Sequence, residues 1–117
     1  MKYEVEIINI GPLSKELLAD GNLVIFDKCP NEALMEISVM HTRGEIKGAI
    51  EVGDRVTLGS FIYQITAIGE EALHTLKELG HCTFRFDGAD VVDLPGQIAL
   101  KGDKVPELQV GNIICIE

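Results

Sequence analysis

Short apolar runs separated by glycines dominate the chain and predict a structure built mainly of β-strands. Residues 3–7 alternate apolar with acidic side chains, which predicts a strand with one buried face. Residues 23–26 form a continuous apolar run, which is typical of a strand buried on both faces. Apolar residues at alternate positions from Ala33 to Val39 predict another strand, which ends at His41. Further short strands are expected at residues 46–50, 55–58, 61–68, 82–86, 98–100 and 113–116.

A single segment carries the apolar repeat of an α-helix. Apolar residues recur at helical spacing over residues 70–79, from Glu70 to Leu79, and Gly80 follows as a stop signal. The whole pattern therefore predicts an all-β fold, a small closed or partly open β-barrel of short strands with one short helix.

Two parts of the chain resemble each other. Residues 46–48 (IKG) are followed by residues 52–54 (VGD), and residues 100–102 (LKG) are followed by residues 110–112 (VGN). Two related halves closing one barrel would produce this similarity. Two unrelated loops that use the same turn chemistry would produce it as well.

Length and charge limit the class of protein. The 117 residues indicate one domain, spanning residues 1–117, and the 46% hydrophobic and 25% charged residues are typical of a folded protein. Ten basic and 19 acidic side chains give a net charge of −9. This charge argues against nucleic acid or an anionic membrane as a partner and would suit a basic protein.

The sequence also indicates where the protein works. No apolar stretch is long enough to span a membrane, and the first residues lack the apolar core of a signal peptide, so we expect a cytoplasmic protein. Cys29, Cys82 and Cys115 are scattered and form no C-x-x-C pair. We therefore expect reduced, mostly buried thiols and neither a disulfide framework nor a zinc site.

The three histidines are the candidates for chemistry, because the motifs of nucleotide-binding loops and zinc proteases are missing. His74 lies off the apolar stripe of the predicted helix and is expected at the surface. His41 and His81 each stand where a strand meets a loop, a common position for functional residues. A neutral imidazole is a competent nucleophile at about pH 7, so His41 is a candidate phosphoryl acceptor.

The residues after His41 have the parts of a phosphoryl-accepting centre. Arg43, Lys47 and the backbone N–H groups around Gly44 could offset the charge of a phosphoryl group. Glu45 could hold the second ring nitrogen and so fix the tautomer. One histidine, two cations and two glycines can also occur together in an ordinary surface loop, and spacing alone does not separate these interpretations.

Two blocks of the sequence are more specific: residues 41–48 (HTRGEIKG) and residues 79–88 (LGHCTFRFDG). They resemble the IIA component of the bacterial glucitol/sorbitol-specific phosphotransferase system, and the similarity extends over nearly the whole chain. The second block is highly specific. Thr42 and Arg43, in the first block, stand at positions where some members of that family carry a second histidine.

The resemblance implies a small, mostly β barrel that acts as a phosphocarrier. Such proteins take a phosphoryl group from the phosphorylated histidine carrier HPr and pass it to the sugar-specific IIB component, which works with the membrane component IIC. The phosphorylated histidine of the family opens the first block, which is His41 here. His81 is a second candidate, as a donor to the phosphoryl oxygens, and its alternative is a structural residue at the start of a strand.

Two other classes of function stay open at this point. The first is a non-catalytic protein-binding or regulatory module that uses the same barrel for contacts with a partner. The second is a metal protein that uses His41, His81 and Cys82, although these residues lack the close spacing of ligand pairs. We expect no metal and no other cofactor.

Overall fold

The computed structural model describes all 117 residues and shows a closed barrel of eight strands with three short helices, which confirms the predicted barrel. In chain order the elements are β1 (Tyr3–Ile10), α1 (Ser14–Ala19), β2 (Asn22–Phe26), α2 (Glu32–Ile37), β3 (Ser38–His41), β4 (Arg55–Leu58), β5 (Phe61–Ile68), α3 (Ala72–Leu79), β6 (Cys82–Arg85), β7 (Gln97–Lys101) and β8 (Ile113–Ile116). The strands follow the order β1-β3-β2-β6-β7-β5-β4-β8 around the barrel, and β8 closes on β1. None of the helices has the length and apolar character needed to cross a membrane.

The barrel consists of two halves with the same strand arrangement. In the first half β1 is antiparallel to β3, and β3 is parallel to β2. In the second half β5 is antiparallel to β7, and β7 is parallel to β6. Each half has one more antiparallel neighbour, β8 beside β1 and β4 beside β5. The halves meet through β2 with β6 and β4 with β8, so an approximate twofold axis relates them.

Hydrogen bonds at two glycine turns extend this repeat to individual residues. The Gly53 N–H donates to the Ile65 carbonyl at 2.8 Å, and the Gly111 N–H donates to the Ile7 carbonyl at 2.8 Å. Both glycines have a positive φ, 97° and 95°, which other residues rarely adopt. The similarity between residues 52–54 and their counterparts near Gly111 therefore reflects two related halves, not a coincidence of turn chemistry.

Strand register assigns each residue its counterpart in the other half. His41 pairs with Ile7 in the first half, and a β-bulge follows. Leu100 pairs with Ile65 in the second half, and a β-bulge follows there too. Leu100 is therefore the counterpart of His41. The other part of the sequence similarity, which aligned Leu100 with Ile46, is out of register.

The interior of the barrel is filled by the inward side chains of the strands. The largest fully buried side chains are Tyr3, Phe84, Ile7, Leu23, Ile25, Leu58, Ile65, Leu76, Ile98, Leu100, Ile114 and Ile116. Burying one such apolar side chain contributes roughly 1.5–3 kcal/mol, so the interior is the main source of stability. Cys82 and Cys115 are buried and Cys29 is partly exposed, all three as free thiols, and burial raises the pKa of Cys82.

The helix predicted near the middle of the chain is confirmed as α3, and two further helices correct the prediction. The pattern does not predict α1, because its six residues are too short to show a helical repeat. Residues 33–37, expected in a strand, belong to α2, where the Asn31 side chain accepts from the Leu34 N–H at 2.9 Å and caps the first turn. Met35, expected to face inward, is exposed.

The strand expected at residues 46–50 is also absent. These residues form a loop between β3 and β4, and Ile50 is the one member that is buried. The loop is anchored at its start, where the Lys47 N–H donates to the Lys2 carbonyl at 2.8 Å. One buried apolar residue is too few to specify a strand with a buried face.

Candidate functional site

His41 is the last residue of β3, and its side chain points into one end of the barrel. It pairs with Ile7, an inward residue of β1, and only 1% of its surface is exposed. The next residue continues the pairing, since the Thr42 N–H donates to the Glu6 carbonyl and the Glu6 N–H donates to the Thr42 hydroxyl, each at 2.9 Å. These bonds fix the end of β3 and with it the position of the imidazole.

Both ring nitrogens of His41 face backbone carbonyl oxygens. Nδ1 lies 2.7 Å from the Thr42 oxygen, and Nε2 lies 2.8 Å from the Gly80 oxygen. A neutral imidazole carries one N–H, so it donates to one of these oxygens and keeps a lone pair on its other nitrogen. The Tyr3 ring stands edge-on to the imidazole, with centroids 6.3 Å apart and planes at 88°.

Gly80 contacts both the imidazole of His41 and the buried side chain of Asp27. It ends α3 with a φ of 60°, and its carbonyl reaches the ring of His41. A Cβ atom at this position would lie 2.6 Å from the Cβ atom of Asp27. Glycine is therefore required both by the backbone conformation and by the close packing, and His41 and Asp27 flank the same turn.

An ion pair between Arg43 and Asp27 lies at this end of the barrel. Arg43 Nη1 is 3.0 Å from Asp27 Oδ2 and 3.4 Å from the carbonyl oxygen of Glu78. The Arg43 side chain is 64% exposed, whereas that of Asp27 is 3% exposed. The guanidinium thus remains accessible while it compensates a buried negative charge.

Two buried polar atoms of this region have no hydrogen-bond partner, the hydroxyl oxygen of Tyr3 and Oδ1 of Asp27. Burial raises the pKa of Tyr3, and the negative charge of Asp27 raises it further, so the hydroxyl keeps its proton at neutral pH. Leaving a buried polar group without a partner costs about 1–3 kcal/mol. The region therefore holds an unused donor and an unused acceptor.

The other residues predicted to support a phosphoryl group follow His41 along a surface loop. A Cβ atom on Gly44 would lie 2.5 Å from Val5 Cγ1, so the loop packs closely on β1 at this glycine. Glu45 and Lys47 are exposed. Since both ring nitrogens of His41 face backbone carbonyls, Glu45 does not hold the ring as the sequence suggested.

A groove of about 860 Å³ runs between this loop and α3. Arg43 and Glu45 line one side, and Lys77 and Glu78 from α3 line the other. Lys77 thus adds a cation that motif reasoning missed. The sequence signal for it is only its place in the last turn of a helix, where cations are common.

The contacts of His81 do not include His41. Its ring stacks on Phe26, with centroids 3.9 Å apart and planes at 10°, and Nδ1 lies 3.0 Å from the Ile25 oxygen. Burial lowers the pKa of His81. The neighbouring Cys82 faces the interior, so alternation along β6 turns His81 to the outer side of the barrel wall. His74 is exposed on α3.

Three residues of this region were not predicted as site residues. In the sequence Tyr3 occupies an ordinary inward strand position. Asp27 is a polar residue that follows a strand, and Gly80 is the stop signal of a helix. They lie on or next to β1, β2 and β6, which strand pairing brings to one region of the barrel wall, and no local pattern encodes that. No group of three or more His, Cys, Asp or Glu side chains lies close enough together to hold a metal ion.

The barrel fold is shared with a solved protein of the PTS IIA class. A crystal structure of a PTS system IIA component from Enterococcus faecalis V583 is similar, with a TM-score of 0.81 over 96% of this chain and 97% of that chain. PTS denotes the phosphotransferase system. The two sequences are 20% identical, so this likeness shows a common fold and no more.

Sequence comparison identifies the family. The family model for the PTS system glucitol/sorbitol-specific IIA component matches residues 2–115. PTS system glucitol/sorbitol-specific EIIA components of Shigella flexneri and Escherichia coli (strain K12) are each 34% identical over 115 residues, covering 98% of this chain and 94% of theirs. The chain belongs to the glucitol/sorbitol-specific IIA family, and it is a protein of the phosphotransferase system with a general role in phosphoryl transfer.

Proposed function

We propose that the protein is a phosphocarrier that accepts a phosphoryl group on His41 and passes it on. The observation that carries the proposal is the position of His41, a histidine fixed at the end of a strand beside an accessible guanidinium. The donor is phosphorylated HPr, and the acceptor is the IIB component specific for glucitol/sorbitol. With the membrane component IIC, this relay couples sugar uptake to phosphorylation.

Nε2 is the nitrogen that we assign to the reaction. Nδ1 faces the carbonyl of the next residue, Thr42, at 2.7 Å, and a donated N–H there leaves the lone pair on Nε2. Nε2 faces the Gly80 carbonyl at 2.8 Å, so the reaction requires these two atoms to separate. Gly80 links α3 to β6, and a partner that binds along α3 would act directly on this contact.

The transfer itself needs positioning and charge compensation more than covalent machinery. The lone pair of Nε2 forms a phosphorus–nitrogen bond while the bond on the donor histidine breaks, and its electron pair returns to the donor ring. The incoming group carries close to two negative charges. Arg43 lies nearest the site, while Lys77 across the groove and Lys47 farther along the loop add positive charge.

The groove beside Arg43 is our candidate docking surface for HPr and IIB in turn. Both cations and both anions that line it are accessible, so one surface could receive each partner. The net charge of −9 favours basic protein partners and disfavours nucleic acid. We place the protein in the cytoplasm, where it reaches the membrane only through its permease partner.

His81 stays a predicted second residue of the site. Its contacts support a structural role, because the ring is stacked on Phe26 and bonded to the Ile25 carbonyl. A hydrogen bond from His81 to a phosphoryl group on His41 would require the ring to leave this stack.

The experiment is incubation with phosphoenolpyruvate, enzyme I and HPr, followed by intact-mass measurement. Wild type and the surface control His74→Gln should each gain one phosphoryl group, and addition of IIB should remove it. His41→Gln keeps a polar side chain without a basic ring nitrogen, so it should fold and gain none. Labelling of His41→Gln at the wild-type rate would contradict the proposal, and an unlabelled wild type would favour the non-catalytic binding module.

A further inference from the structure

The hydroxyl of Tyr3 is the least explained polar group in the protein interior. Tyr3 is 1% exposed, and its hydroxyl oxygen has no hydrogen-bond partner. The second inward tyrosine, Tyr63, differs, because its hydroxyl donates to the Lys104 carbonyl at 2.6 Å. A buried hydroxyl without a partner destabilises the folded state, so the fold alone gives no reason for it.

The other half of the barrel shows that this position does not need a hydroxyl. Tyr3 pairs with Ile116 of β8, and Phe61 pairs with Leu58 of β4. Since β4 and β8 are counterparts across the twofold axis, Phe61 is the counterpart of Tyr3. The same strand arrangement thus holds the phenyl ring of Phe61 in one half and the phenol ring of Tyr3 in the other. We call the Tyr3 hydroxyl the surplus hydroxyl, because the strand arrangement does not require it.

The surplus hydroxyl lies at the proposed site of phosphoryl transfer. The Tyr3 ring stands edge-on to His41. Besides burial, the charge of Asp27 raises the pKa of Tyr3 and that of Arg43 lowers it, so Tyr3 lies near this ion pair at the same end of the barrel. High burial keeps the hydroxyl protonated, so it remains a donor. The Tyr3 ring centroid lies 6.3 Å from that of His41, and a donor held in a site that excludes water stabilises developing negative charge more strongly than one in water.

We infer that Tyr3 is a catalytic residue, whose hydroxyl donates a hydrogen bond to the phosphoryl group as it is transferred to and from His41. This inference rests on the proposed function. In the unphosphorylated protein no protein atom accepts a hydrogen bond from the hydroxyl, and the phosphoryl oxygens supply an acceptor. The cost of the unpaired hydroxyl is thereby relieved in the phosphorylated state and in the transition state that leads to it.

The test compares Tyr3→Phe with the matched control Tyr63→Phe. Both variants remove one hydroxyl and keep the ring. Phosphorylation rates are measured with phosphorylated HPr and with phosphoramidate, a small donor that needs no protein docking, and the melting temperature is measured in parallel. Tyr3→Phe should melt at or above the wild-type temperature and be phosphorylated about 100-fold more slowly with both donors.

Tyr63→Phe should show the opposite behaviour. It should melt about 3–6 °C lower, because it leaves a carbonyl without its donor, and be phosphorylated within about twofold of the wild-type rate. The inference is overturned if Tyr3→Phe matches the wild-type rate while the wild type is labelled on His41. It is also overturned if Tyr3→Phe is slow only with HPr, or if it loses stability as Tyr63→Phe does. An unlabelled wild type would instead refute the proposed function.

Discussion

The two halves of the barrel share one framework and differ at one end of it. Three positions that are polar in the first half are apolar in the second: Tyr3, Asp27 and His41 correspond to Phe61, Phe86 and Leu100. Asp27 and Phe86 correspond because each is the first residue after one of the equivalent strands β2 and β6. His41 and Asp27 contact Gly80, and Tyr3 stands beside His41. In the second half Phe86 packs on Tyr63, with ring centroids 5.0 Å apart.

This difference separates what the fold requires from what a function requires. The second half shows that the strand arrangement is satisfied by apolar side chains at all three positions. In the first half the same positions hold a buried histidine, a buried carboxylate with one unpaired oxygen, and an unpaired hydroxyl. Such groups weaken a core, and departures of this kind are expected at functional sites.

The largest effect on stability is expected from the apolar counterpart of His41. Leu100→Ala should lower the free energy of unfolding by about 2–5 kcal/mol, because it leaves a cavity at a fully buried position. His41→Leu should change it by no more than about 1 kcal/mol, because the framework accepts leucine at this position in the other half. Urea unfolding measures the change in the free energy of unfolding for both variants. A larger loss for His41→Leu would make His41 part of the structural core.

A second comparison concerns the two glycines that precede β2 and β6. Gly80→Ala should destabilise by about 2–4 kcal/mol, because its φ is 60° and the added methyl group would meet Asp27. Gly21→Ala should cost about 1–2 kcal/mol, since its φ is 84° but no atom lies within 4 Å of the new Cβ. Chemical denaturation measures the loss in the free energy of unfolding for each variant. Equal losses would show that the turn at Gly80 is not tightly packed.

A smaller effect, and one that depends on pH, is expected at the turns that begin β4 and β8. Asp54 accepts a hydrogen bond from Lys2 at 2.8 Å, which lowers its pKa from the ordinary value of 3.8. Its counterpart Asn112 has no charge. A lowered pKa in the folded state stabilises the protein above the unfolded pKa, and the gain disappears as the pH falls through the folded pKa.

Asp54→Asn should therefore lower the free energy of unfolding at about pH 7 by at most about 1 kcal/mol. The gap to wild type should close as the pH falls below about 4, because the carboxylate of the wild type becomes protonated. Thermal unfolding across this range measures the gap. A gap that stays constant in acid would show that the Lys2 interaction does not control the stability of this turn.

Most of the barrel could be predicted from sequence because strand alternation and the stripe of α3 are local patterns. The prediction failed at residues 33–37, where an alternation of apolar residues coincides with a capped helical turn. A motif and a resemblance pointed to His41, whose role as phosphoryl acceptor stays a prediction. Tyr3, Asp27 and Gly80 come from distant parts of the chain, and the pairing of β1, β3, β2 and β6 brings them together.

The most direct test of the central claim is to locate the phosphoryl group in wild-type protein phosphorylated by HPr. Peptide mapping under alkaline conditions preserves a phosphorus–nitrogen bond, and brief acid treatment removes it. We predict one phosphoryl group, on the peptide that contains His41 and on that residue, and its loss in acid. A phosphoryl group on His81 or His74, or one that survives acid as phosphoserine does, would contradict the account.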